Sequence, residues 1–126
     1  MPPLIERGRA LVVDDAELNR ILARAYLEAL GWRVDECPEG YSALAFLRSC
    51  TPEFILLDIR MPGIDGLELA TIIRKTCPVG TVRLVAYTAH AIIEEVAHIR
   101  TFGFDAVLIK PVSFADFQEV VGRGSA

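Results

Sequence analysis

Three carboxylates, one amine and one hydroxyl stand where short apolar runs of this chain stop. "ALVVDDAEL" breaks off at Asp14 and Asp15, "FILLD" ends at Asp58, "VRLVAYT" at Thr88, and "AVLIK" at Lys110, just before Pro111. Adjacent carboxylates resist ionising beside one another unless a cation or a helix end compensates them. The pair at 14–15 is therefore either solvated in a turn or answered by something positive. Oxygen ligands without His or Cys suit a hard cation, Mg²⁺ or Mn²⁺. Mg²⁺ takes one or two protein carboxylates and keeps waters and a phosphate oxygen, so such a cluster is better built for handling phosphate than for a closed structural site. A carboxylate can be the nucleophile and form an aspartyl-phosphate. Lys110 and Thr88 would then contact the phosphoryl oxygens.

Residues this far apart act together only if the elements carrying them end at one edge. Five apolar runs, 9–13, 32–37, 54–58, 82–87 and 106–110, alternate with five helix-like stretches. Runs one, three, four and five are nearly continuous in Val, Leu and Ile, as parallel strands covered on both faces are. The second run alternates, as an edge strand does. Leu18, Ile21, Leu22, Ala25, Ala29 and Leu30 fall at helical spacing, with Gly31 as a C-terminal cap. Tyr41, Leu44 and Leu47, with Ala43 and Phe46, predict a second helix ended near Pro52. Leu69, Ile72 and Ile73 predict a third, before Pro78. Ile92, Val96 and Ile99, with Ile93 and Ala97, predict a fourth, and Phe114, Phe117 and Val121 a short fifth. Strict alternation implies right-handed crossovers and a doubly wound α/β sandwich. Five parallel strands fit the flavodoxin-like order 2-1-3-4-5, whose ligands bind beyond the strand carboxyl ends, between strands one and three. That is where Asp14, Asp15 and Asp58 would meet.

At 126 residues the chain predicts one domain, with a core of about 8–121 and a short tail at 122–126. An apolar fraction of 52% against 24% charged excludes disorder as the main state. A net charge of −4 without a basic stripe argues against nucleic-acid binding. Cys37, Cys50 and Cys77 are few, odd in number and far apart, which reads as reduced thiols of a cytoplasmic protein. No run approaches the roughly 18 apolar residues of a membrane span, and "MPPLIERGRALVV" carries Glu6 where a signal peptide would be apolar.

Four motifs, "VVDD" at 12–15, "LLDIRMPGIDG" at 56–66, "YTA" at 87–89 and "IKP" at 109–111, occur in an order and on element ends that resemble the receiver domain of two-component response regulators. The resemblance spans about residues 8–121 and implies a CheY-like phospho-acceptor module, not an enzyme. It implies Asp58 as the acceptor. Asp15, Asp58 and the backbone carbonyl of Arg60 would ligate Mg²⁺ directly, and Asp14 largely through water. Lys110 would pair with the acceptor and then the phosphate, and Thr88 would move toward the phosphoryl group. Lys110–Pro111 would be a cis peptide, which proline permits. Gly63 and Gly66 would permit unusual backbone angles in the turn before the third helix. The implied partners are a sensor histidine kinase or a histidine phosphotransfer protein, and "DDAELNR" and "YTAHA" resemble receivers attached to hybrid kinases, which pass phosphate along a relay.

Other readings stand beside these. Asp14 followed by Glu17 also fits a capping box for the first helix. His90 and His98 read as surface residues of the fourth helix, where Ile92, Ile93 and Val96 are apolar enough for a homodimer contact. Val107 stands three residues before Lys110, where many receivers carry an aromatic switch residue. Arg60 and His90 stand where side chains control water near the phosphate. The competing functions are a receiver-like interaction module that works without phosphate, and a phosphatase with an aspartyl intermediate. The phosphatase reading expects an acid two residues after Asp58, where this chain has Arg60. A flavin site fits the fold, but the first loop lacks a Ser/Thr-rich phosphate cradle.

Overall fold

The computed structural model describes residues 5–78, 80–89 and 93–122. Strands and helices alternate as β1 (Ile5–Val13), α1 (Glu17–Ala29), β2 (Arg33–Cys37), α2 (Gly40–Leu47), β3 (Thr51–Asp58), α3 (Gly66–Thr76), β4 (Arg83–Thr88), α4 (Ile93–Arg100), β5 (Ala106–Ile109) and α5 (Phe114–Val121). The strands form a five-stranded parallel sheet in the order β2-β1-β3-β4-β5. This is the doubly wound arrangement that the alternation predicts.

Strand pleating sends successive side chains to opposite faces, so the continuous apolar runs feed two cores. Ala10, Val12, Phe54, Leu56, Val85 and Tyr87 pack under α1 and α5 against Ala23, Leu27 and Phe117. Leu11, Val13, Ile55, Leu57, Leu84 and Ala86 pack under the other helices against Ala43, Leu69, Ile73 and Ile99. Register carries this order to the site. Val13 pairs with Leu57, Asp58 with Tyr87, and Thr88 with Ile109. The residues at or just past these ends, 14, 58, 88 and 110, therefore lie along one edge.

Several expectations are corrected. Of the predicted stripe of α1, Leu18, Ile21 and Leu22 face solvent, at 80%, 52% and 40% exposure, as do Ala25 and Ala29; only Leu30 is buried, and it is Ala23 and Leu27 that share its buried face. The helix carries two apolar faces, and its orientation is fixed by charge as well: Arg20 and Arg24 reach Glu36 of β2 at 3.3 and 2.8 Å. Strand β5 is the second edge of the sheet, so only Leu108 of its four residues is fully buried. β1 and β3 begin earlier than the apolar runs because a bulge between Glu6 and Ala10 lets Ile5 and Glu6 pair with Thr51 and Pro52. Pro52 thus lies in the strand instead of ending α2. Tyr41 is exposed, as is Ile93. Gly31 follows α1 with a positive φ, as a C-terminal cap requires. Cys37, Cys50 and Cys77 are buried and free. The readings for His90 and Ile92 lie outside the described residues.

Candidate functional site

Asp14, Asp15 and Asp58 each bring a carboxylate oxygen within 4.8 Å of the others. Asp14 and Asp58 are buried at 1% and 5% exposure, and Asp15 faces solvent. Into this cluster reaches Lys110, whose Nζ donates to Asp14 Oδ2 and to Asp58 Oδ1, both at 3.2 Å. Its main chain is fixed by donation from Lys110 N to Thr88 O at 2.7 Å, and the Lys110–Pro111 peptide is cis. Thr88 is buried at 2% at the end of β4. With Met61, Leu67, His98 and Ile99 it lines a cavity of about 550 Å³ between the β3–α3 connection and α4. The geometry thus brings together Asp14, Asp15, Asp58 and Lys110, with Thr88 at the end of the neighbouring strand.

The electrostatics are strained in a particular direction. Burial pushes the Asp58 carboxyl up to about 6, and the charge of Asp14 adds to this, while Lys110 and the Arg60 main chain pull it down. Burial lowers the Lys110 amine, but Asp58 and Asp14 outweigh it and hold the group above its usual range. One ammonium therefore faces a three-acid cluster and does not fully compensate it. This is a site short of positive charge, lined by hard oxygen donors, and those donors fit a divalent cation such as Mg²⁺.

The capping-box alternative for Asp14 is not formed. Residue Ala16 caps α1 without a side-chain bond, and Asp14 Oδ1 accepts instead from Ala16 N at 2.9 Å. The glycines of "MPGIDG" divide the work differently from the expectation. Gly63 has φ 78°, whereas Gly66 has no positive φ and is required by proximity: a Cβ there would lie 2.3 Å from Asp58 O and 2.6 Å from Ile59 Cα. The N-terminus of α3 is pressed directly onto the backbone of Asp58. His98 is exposed and stacks edge-on with Phe102 at 5.1 Å, consistent with a surface residue. Val107 is half-buried against the core beneath α2, α3 and α4.

Two neighbours of the site were not legible in the sequence. Tyr87 places its ring 4.6 Å from Lys110 Nζ. Arg20 donates from Nη1 to the backbone oxygen of Asp14 at 2.7 Å. The signal for Tyr87 was its place beside Thr88 on the opposite face of the strand. For Arg20 it was a basic residue in the first turn and a half of a helix that follows two acids.

The order 2-1-3-4-5, with acids at the carboxyl ends of β1 and β3 and a lysine after β5, defines an α/β domain of the phospho-acceptor class. Residues 10–122 match the model of the response regulator receiver domain, and the chain belongs to that family, whose members accept phosphoryl groups in two-component signalling. Among relatives, it is 34% identical to the sensor protein GacS of Pseudomonas syringae pv. syringae over 95% of this chain but 14% of that protein. It is 32% identical to the polar-differentiation response regulator DivK of Brucella anthropi, over 88% of this chain and 90% of that one. The receiver domain of NtrX from Brucella abortus superposes with a TM-score of 0.81 at 29% identity, covering 88% of this chain and 92% of that chain. A CheY-like receiver domain protein from Methanospirillum hungatei does so with a TM-score of 0.82 at 27% identity, covering 92% and 91%. No helix among the described residues is long and apolar enough to cross a membrane.

Proposed function

We propose that Asp58 accepts a phosphoryl group from a phosphohistidine on a partner protein, with Mg²⁺ held by Asp15, Asp58 and the Arg60 carbonyl, and with Asp14 acting largely through water. The observation that carries this is Lys110 Nζ at 3.2 Å from both Asp14 and Asp58, inside a cluster of three carboxylates. When bound, the cation supplies positive charge that lowers repulsion between the acids and an incoming phosphate. In the transfer, an Asp58 oxygen attacks phosphorus while the bond from phosphorus to the donor imidazole nitrogen breaks. Lys110 then neutralises charge on the phosphoryl oxygens, and the Thr88 hydroxyl donates to one of them. Thr88 also lines the cavity against α4, so its movement is felt at Ile99 and His98. With Val107 in place of an aromatic, signal output runs through that contact.

The donor is a histidine kinase or a histidine phosphotransfer protein, and the exposed apolar face of α1 supports its docking. Leu18, Ile21 and Leu22 lie just past the acidic loop, where a donor presenting an imidazole to Asp58 must approach. The relatives occur both as a segment of a long sensor protein and as a chain of near-receiver length, which supports a relay as well as a switch role. The ten elements, from Ile5 to Val121, act as one domain, and it works in the cytoplasm without enzymatic turnover of its own. Ile93 and Val96 on α4 offer a homodimer contact.

The test is labelling by acetyl phosphate or beryllofluoride with Mg²⁺, followed by mass spectrometry. Wild type should take the label and Asp58→Asn should not; labelling retained in that variant refutes the acceptor assignment. Equal partner affinity with and without beryllofluoride would instead favour a module that works independently of phosphate.

A further inference from the structure

Asp14 is held at every polar atom. Its amide donates to Cys37 O at 3.2 Å, Oδ1 accepts from Ala16 N at 2.9 Å, and Oδ2 accepts from Lys110 Nζ at 3.2 Å. Its backbone oxygen accepts from Arg20 Nη1 at 2.7 Å. Asp15 is the opposite case: it is exposed, and among the described residues its carboxylate has no hydrogen bond. What aims the Asp15 side chain is therefore its backbone. The carbonyl of Asp14 and the amide of Asp15 belong to one planar peptide unit, so a grip on that oxygen sets the orientation from which the Asp15 side chain departs.

Arg20 is itself aimed. Its Nε donates to Glu36 Oε1 at 3.3 Å, and Glu36 Oε2 takes a second bond from Arg24 Nη1 at 2.8 Å. The planar guanidinium fork can span an acid on β2 and a carbonyl at the end of β1 simultaneously, which a lysine ammonium does not do with the same direction. The Arg20 and Glu36 side chains are 16% and 25% exposed, so the bridge is partly shielded from water.

We infer that Arg20 is a positioning residue for divalent-cation binding: through the Asp14 carbonyl it fixes the peptide joining the two acids and so presents Asp15 to the ion. This rests on the reading of Asp15 as a ligand. The inference makes a prediction of opposite sign to simple charge. Removing a cationic side chain near an acidic cluster should, by Coulomb attraction alone, tighten binding of a second cation. Loss of a group that orients a ligand typically weakens metal affinity by roughly tenfold or more.

The experiment is calorimetric titration of Mg²⁺ into wild type, Arg20→Gln and Arg24→Gln, with hydrogen exchange at the Asp15 and Ala16 amides in the Mg²⁺-free proteins. Arg24→Gln removes the same charge from the same helix, and among the described residues Arg24 pairs with Glu36 and Glu28, while the bond to the Asp14 carbonyl comes from Arg20. Arg20→Gln should weaken Mg²⁺ roughly tenfold and speed exchange at the two amides. Arg24→Gln should stay within about twofold of wild type. Equal effects of the two variants, or tighter Mg²⁺ binding in Arg20→Gln, overturn the inference. Should the glutamine variant not fold, Arg20→Lys carries the same test, since it keeps the charge and loses the fork. A wild-type protein that binds no Mg²⁺ sinks the metal reading itself, while faster amide exchange in Arg20→Gln would still support the grip on the acidic loop.

Discussion

Ionising Asp58 in the folded protein costs free energy, because the carboxyl is buried and faces Asp14. In the unfolded chain an aspartate ionises near pH 4, whereas the folded-state value is about 6. Between the two, the native state holds more protons than the unfolded one, so stability falls as pH rises through this window and stays lowered above it. The shift corresponds to about 3 kcal/mol. Asp58→Asn should therefore be more stable than wild type at pH 8 by about 1–2 kcal/mol, with the gain vanishing near pH 4. Urea denaturation in the presence of EDTA measures this, and an equal gain at both pH values would exclude Asp58 as its source. Lys110 makes the reverse prediction. Lys110→Met leaves two buried carboxylates facing each other without a counter-charge, and stability at neutral pH should fall by about 3 kcal/mol, the low end for breaking a buried pair because the amine is partly exposed. Added Mg²⁺ should return part of that loss, and the same denaturation series reads it.

Helix α3 begins so close to the acceptor strand that residue 66 has no room for a side chain. Gly66→Ala should cost about 1–3 kcal/mol, the usual range for overpacking a tight contact. It should also slow acetyl-phosphate labelling, because the atoms in the way are the backbone of Asp58 and Ile59. A variant with wild-type stability and labelling rate would remove Gly66 from the site. Helix α1 supports a different experiment. Ile21→Ser with Leu22→Ser changes solvent-facing residues and should alter stability by no more than about 0.5 kcal/mol. Labelling by acetyl phosphate should stay unchanged while transfer from a phosphorylated protein donor slows. Equal slowing of both would place the effect in the site, not in docking.

This helix also explains where reading the sequence succeeded and where it failed. Its existence and its Gly31 stop follow from local periodicity and φ preference. Which apolar stripe turns inward does not, because Leu18, Ile21 and Leu22 look at least as good a core face as Ala23 and Leu27. The choice depends on packing and on the Arg20, Arg24 and Glu36 bridge, which involves a different strand. β5 misled for a similar reason: its sequence is as apolar as a central strand, and its edge position follows from topology. The capping box at Asp14 and Glu17 failed because the helix starts later, at Glu17, leaving the Asp14 carboxylate to Ala16 and Lys110.

At the scale of the whole molecule, the legible part was the topology. Alternation of element type fixes the crossover hand, and the flavodoxin-like order that five such strands fit brings the ends of β1 and β3 together. From Asp14, Asp58, Thr88 and Lys110, most of the site followed as a matter of strand ends. The unread part consists of contacts made sideways across elements, such as Arg74, whose guanidinium ties α3 to Gly103 O at 2.8 Å and to Asp105 at 2.9 Å. Such bonds have no periodic signature, since each joins residues about thirty positions apart.

The ammonium of Lys110 rests 4.6 Å from the ring centre of Tyr87. Any event that draws that amine toward a new anion lifts a positive charge off an aromatic chromophore enclosed in the protein interior. The near-ultraviolet circular dichroism of the tyrosine should change as the amine leaves, and Tyr87→Phe should shift or mute that change. A Tyr87-dependent signal of this kind would gauge loading of the acceptor site in a cuvette without dye, isotope or antibody, and its absence on loading would remove the amine from the response.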